Sequence, residues 1–182
     1  MTLLIVGLLL WAAAHYFKRL APAARASMGN AGKGVVALSS LAAIVLMVIG
    51  YRAADVTQLW NLGSWAISLN NILMIVAVAL FGLGNSKSRL RGKLRHPMLT
   101  GLLVWVVAHL LVNGDLPSLV LFGGLGLWAI GSMFLINRAE PAPLPFAGGS
   151  VKGDIRLAVI TLVVFTVIVV IHTWLGPWPF PG

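Results

Sequence analysis

Six runs of nearly unbroken apolar residues divide the chain, at about 2–20, 34–51, 66–84, 97–113, 117–137 and 155–175. Each approaches the roughly 20 residues that an α-helix needs to cross the hydrocarbon core of a bilayer. The pattern predicts an all-α, polytopic transmembrane helical bundle with about six spans, forming one domain over residues 1–182. The first run has no basic segment ahead of it, so it is expected to be retained as a span in spite of the signal-like Ala12-Ala13-Ala14. Turn chemistry is clearest at Asn113-Gly114-Asp115-Leu116-Pro117. There Gly114 is expected in the left-handed conformation, Asp115 as a helix cap and Pro117 in a first turn, joining spans four and five as an antiparallel hairpin. The connection 138–154, with Pro141, Pro143, Pro145, Gly148 and Gly149, is the longest irregular stretch expected.

Composition strengthens this picture. Of 182 residues, 59% are hydrophobic and 9% charged, against about 25% charged in ordinary soluble domains. Thirteen Lys and Arg against four Asp and Glu leave a net charge of +9. In a soluble protein that excess would suggest nucleic acid; here its distribution points to membrane orientation and to the lipid bilayer as the partner. Lys18, Arg19, Arg25 and Lys33 follow span one, and Lys87, Arg89, Arg91, Lys93 and Arg95 follow span three. Arg138, Lys152 and Arg156 surround the connection after span five, and Arg52 alone falls on the opposite side. By the preference of basic loops for the cytoplasm, both termini are expected on the non-cytoplasmic side.

The absence of Cys removes disulfides, Cys-ligated zinc, iron–sulfur clusters and thiol catalysis. Dinuclear carboxylate iron is excluded because the spans lack the necessary Glu residues, and no Lys-Ser or Lys-Thr follows the glycines of span five to make a phosphate loop. Those glycines, Gly123, Gly124, Gly126 and Gly131, read as sites of close helix packing. Ionisable groups in a bilayer are costly, which directs attention to histidine. His109 shares a helix face with Gly101, Trp105 and Asn113, each four residues apart. Measured from the basic ends of their spans, His109 lies at about 20 Å, His172 at about 24 Å and His15 at about 8 Å. Imidazoles are the best metal ligands this composition offers, and haem iron is a natural guest for two of them. Cross-helix hydrogen bonding by the same residues is the competing reading. Ser39, Ser40, Asn70 and Asn71 are candidates to line a pathway. Arg95 and His96 precede Pro97 at a helix start that could hold a phosphate or carboxylate, although basic residues there also serve topology and contact with anionic lipid. Trp60, Trp65, Trp174 and Trp178 read as interfacial anchors.

Arg95-His96-Pro97-Met98-Leu99, Gly101, Trp105, Ala108-His109-Leu110, Asn113-Gly114-Asp115 and Leu121-Phe122-Gly123 together resemble the central signature of the NnrU family of bacterial membrane proteins. His15, Gly50-Tyr51 and His172 fit the same pattern. The resemblance implies a six-helix protein of the bacterial inner membrane, in a family named for an association with nitrite and nitric oxide reductase expression. The family is similar to the plant 15-cis-zeta-carotene isomerase, which isomerises a polyene with a histidine-ligated haem b. The resemblance therefore implies haem b as cofactor, with His109 and either His172 or His15 as ligands, Trp105 and Gly101 beside them, and a lipophilic small molecule as substrate. Isomerase or redox chemistry is one implication. A scaffold or maturation factor for denitrification enzymes is the other. Arg95-His96-Pro97 also resembles a motif of membrane methyltransferases, but those enzymes usually carry acidic and aromatic C-terminal motifs at the cytoplasmic face, whereas Gly176-Pro177-Trp178-Pro179-Phe180-Pro181-Gly182 is expected on the other side.

The orientation is open to direct measurement. Reporters active only after export are expected to be silent when fused within 21–33, 86–96 or 138–154 and active after residue 182. The reverse pattern would overturn the assignment.

Overall fold

Inside a bilayer the backbone cannot bond to water, so a crossing segment must satisfy its own N–H and C=O groups, and helices do this within one segment. The computed structural model describes residues 1–141, 146–176 and 178–180. Its helices are α1 (Thr2–Leu20), α2 (Pro22–Ser27), α3 (Ala31–Arg52), α4 (Ser64–Leu83), α5 (Pro97–Val112), α6 (Leu116–Ala139) and α7 (Val151–Leu175). Five of them, α1, α3, α4, α6 and α7, are long and apolar enough to cross a membrane, and α5 is a shorter apolar helix of 16 residues. With α5 rising about 24 Å, six apolar helices match the six predicted runs. Large apolar side chains face outward, Leu38, Leu127 and Leu162 each being more than half exposed, as expected where lipid is the solvent.

Three features differ from the pattern-based expectation. The connection 21–33 contains α2, which Pro22 opens and its alanines favour. The connection after α6 shrinks, because α6 continues to Ala139 and α7 starts at Val151 under a Ser150 cap, whose Oγ accepts from Gly153 N at 3.1 Å. Pro143 and Pro145 lie outside the described residues. Gly114 does not adopt a positive φ; among the described residues only Gly29 and Gly63 do.

The helices gather into two compact units, Met1–Trp60 with Gly114–Glu140, and Asn61–Asn113 with Pro141–Gly182. Thus α6 packs on α1 and α3 in the first unit, and α5 packs on α4 in the second.

In the first unit α1 lies along α3 with backbones nearly touching. A Cβ at Gly7 would stand 2.8 Å from Met47 N and 2.9 Å from Ala43 O, and one at Gly50 would run into the backbone of Leu3 and Leu4. On α6, Gly124 admits Leu8 and Gly131 admits the Tyr16 hydroxyl, which sets α6 parallel to α1. The start of α6 is pinned by polar groups. Asp115 accepts from Ser118 N and from Ser118 Oγ, each at 2.8 Å, and the buried Ser118 hydroxyl also bonds Tyr51 OH at 2.8 Å. Asp115 is the predicted cap, of a kind worth about 1 kcal/mol. Just before it, Gly114 O accepts from Leu59 N and Trp60 N, and Thr57 O from Leu116 N. Gly114 is required here by the contact with the Trp60 carbonyl, and its backbone stays in the ordinary region.

In the second unit α5 runs antiparallel to α4, and Gly101 sits 3.1 Å from Ala77 O and 3.2 Å from Phe81 N, measured to an added Cβ. α7 packs on α4, with Gly82 facing Leu157 and Gly153 pressed on the Lys87 backbone.

The α1–α3 approach supplies a stability test. Gly50→Ala is expected to cost about 1–3 kcal/mol by overpacking, seen as a lower thermal midpoint in detergent. Gly34→Ala, where an added methyl meets nothing within 4 Å, is expected to leave that midpoint unchanged or slightly raised. Equal losses would refute close backbone approach as the basis of the contact.

Candidate functional site

The helix that carries His109 begins at its basic end with His96 as N-cap and Pro97 in the first turn, and Thr100 N bonds the His96 carbonyl at 2.9 Å. Gly101 is consumed by contact with α4. One turn on, Trp105 lies 4.6 Å from the His109 ring, tilted by 43°. His109 Nδ1 donates to the Trp105 carbonyl at 3.0 Å, and Asn113 Nδ2 donates to the His109 carbonyl at 2.9 Å. The predicted stripe is therefore continuous along α5, with Gly101 serving the α4 contact, Trp105 and His109 stacked, and Asn113 closing the helix.

His172, near the end of α7, is half-buried and belongs to the same unit as His109. Counted from the basic ends of the predicted spans, the two lie at similar depth, about 20 and 24 Å, which favours His172 over His15; the helix bounds change the figures. Because α7 starts at Val151, His172 lies about 32 Å from its helix start and His109 about 18 Å from its own. The antiparallel register of α4 and α5 at Gly101 brings Asn70 and Asn71 to the level of His109. Asn70 Nδ2 donates to Asn71 Oδ1 at 3.0 Å and Asn71 Nδ2 to the Pro179 carbonyl at 3.0 Å, whereas Asn70 Oδ1 is buried with no hydrogen-bond partner among the described residues. Such an acceptor costs about 1–3 kcal/mol unless a donor from water or a bound molecule reaches it.

His15 belongs to the other unit. Its Nδ1 donates to the Trp11 carbonyl at 2.8 Å, and its ring lies 4.1 Å from Trp11 and 5.0 Å from Trp128. Tyr16 OH donates to the Trp128 carbonyl at 2.8 Å. Both indole N–H groups are buried without a partner among the described residues. The Trp11 neighbour is visible one turn away in sequence; Trp128, more than a hundred residues on, is not.

Arg95 and His96 lie at the opposite end of α5 from His109. Arg95 is exposed and donates to the Pro141 carbonyl at 3.3 Å. The same end holds a junction that composition did not reveal. Asp154 in the first turn of α7 accepts from Ser88 Oγ at 2.7 Å, Arg89 N at 2.9 Å and Arg89 Nε at 2.6 Å. Ser88 is fully buried, its Oγ accepts from Leu90 N, and Ser150 N bonds the Lys87 carbonyl. Arg91 lies 4.4 Å over the Phe146 ring. The available clue in the sequence was Asp154 itself, one of four acids, set among basic residues.

Since charge-assisted bonds to one carboxylate tie 88–89 to α7, Asp154→Ala is expected to speed tryptic cleavage at Lys87, Arg89, Arg91 and Lys93 roughly tenfold, through local opening. Cleavage at Lys18 and Arg25 should keep its rate. Uniform acceleration would indicate global loosening instead and refute the local tie.

No curated protein and no solved structure matches the chain. The family model described as NnrU protein matches residues 3–179, across both units and every helix above, and the chain belongs to the NnrU family.

Proposed function

We propose that this NnrU protein is a multi-pass protein of the bacterial inner membrane that holds haem b between His109 and His172 and acts on a lipophilic, polyene-like molecule as an isomerase or redox component. The observation that carries the reading is the part-buried His109 held through Nδ1 by the Trp105 carbonyl, in the same unit as His172. A metal-ligating histidine commonly gives its other ring N–H to a carbonyl, which fixes the tautomer and aims the second nitrogen. The bond from His109 Nδ1 to Trp105 O has that form, so Nε2 is the atom that would ligate. The donor set suits a porphyrin better than a bare ion. Among the described residues no three His, Asp or Glu converge, and haem, bringing four nitrogens of its own, asks the protein for only one or two imidazoles.

When bound, haem supplies redox or Lewis-acid chemistry, and the protein supplies position and surroundings. His109 and His172 would hold the group, and Trp105 lies beside the His109 ring. Resemblance to the plant carotene isomerase favours a polyene. A scaffold or maturation role for nitrite and nitric oxide reductases is the second reading, and one observation favours it: packing between Trp11 and Trp128 accounts fully for His15.

Protein purified in mild detergent from haem-replete cells is expected to carry stoichiometric haem, with a Soret band that shifts on dithionite reduction. His109→Ala should lose most of that band. His172→Ala should convert a six-coordinate spectrum to a five-coordinate one, and His15→Ala and His96→Ala should leave it intact. Haem-free preparations, or an unchanged band in His109→Ala, would transfer the case to the scaffold reading.

A further inference from the structure

A cavity of about 460 Å³ opens between the C-terminal end of α4 and the first turns of α7, within one unit and at its basic end. That volume falls in the roughly 300–1,000 Å³ range of small-molecule sites. Lys87, Lys152 and Arg156 line it, with Asn85 beside them. The unit contains one acid, Asp154. Its carboxylate is taken up by Arg89 and Ser88, so it does not neutralise the three cations of the cavity. Leu157 and Ile160 form the apolar part of the lining. From there Ile160, Val164 and Val167, spaced to share a helix face, continue as exposed apolar surface along α7. A polar, cationic mouth thus opens onto an apolar track running into the membrane.

We propose that this cavity is a headgroup site for one anionic phospholipid, its phosphate held by Lys87, Lys152 and Arg156 and an acyl chain lying along Leu157, Ile160, Val164 and Val167. A free phosphate would use the cations and leave the track unused; a zwitterionic lipid would use the track while bringing its own cation to three others. The acidic lipid satisfies both halves. Basic pockets between helices at a membrane surface bind acidic headgroups by this combination. The site is independent of the imidazoles.

The full-length protein in mild detergent can be titrated with dioctanoyl phosphatidylglycerol, dioctanoyl phosphatidylcholine or inorganic phosphate and read by native mass spectrometry. Phosphatidylglycerol should bind saturably at one per chain, phosphatidylcholine at least about tenfold more weakly, and millimolar phosphate should not displace the lipid. Arg156→Gln should weaken binding about fivefold, and the triple variant Lys87→Gln, Lys152→Gln, Arg156→Gln roughly a hundredfold. The charge-matched triple Lys18→Gln, Lys33→Gln, Lys93→Gln should bind as the parent does. Equal affinity for both lipids, equal loss in the two triple variants, no loss in Arg156→Gln, or displacement by phosphate would each overturn the proposal.

Discussion

Helices in hydrocarbon gain little by hiding apolar side chains from one another, since lipid is as apolar as leucine, so their association depends on how closely the backbones approach. Glycine sets that distance in this protein. Gly7 and Gly50 let α1 reach the backbone of α3, and Gly101 lets α5 reach that of α4. The chemistry-bearing side chains inherit their positions from these contacts. The register at Gly101 brings Asn70 to the level of His109. The approach of α6 to α1 at Gly124 and Gly131 brings Trp128 against Trp11 and His15.

The polar groups within the spans divide by how they are satisfied. Ser40, Thr166 and Thr173 bond carbonyls four residues back on their own helices, which removes their cost without joining helices. His15 and His109 use Nδ1 in the same way, but each has a second nitrogen that its own helix does not claim by that bond. Buried groups that lack partners among the described residues include the indole N–H groups of Trp11 and Trp128, whose rings lie against His15, and Asn70 Oδ1 in the other unit. A buried polar group is stable only when something meets it.

Charge is sorted just as unevenly at the basic ends. Arg19 pairs with Glu140 and Arg89 with Asp154, while Arg91 lies over Phe146 and Arg95 reaches Pro141. Lys87, Lys152 and Arg156 are left to converge on a cavity. Basic loops that orient a membrane protein therefore serve two further purposes here, clamping a junction and lining a site.

The sequence by itself determined the class and the number of apolar helices, because a backbone crossing lipid must be helical and needs a fixed length of apolar residues to do so. It also determined the Asp115 cap and the Trp105–His109 stack, both set by neighbours within one turn. Gly114 was legible as a special position but not for the right reason, since the demand on it comes from the distant Trp60 carbonyl and not from its own dihedral angle. The family was legible because its central motif is contiguous. Only the tertiary structure decided the rest: that α6 joins α1 and α3 while α5 joins α4, that Trp128 meets His15, and that Asp154 holds Ser88 and Arg89. Apolar residues all round a helix carry no mark of which neighbour it will choose, so helix partners, and every contact that follows from them, are fixed by the fit of backbones in three dimensions.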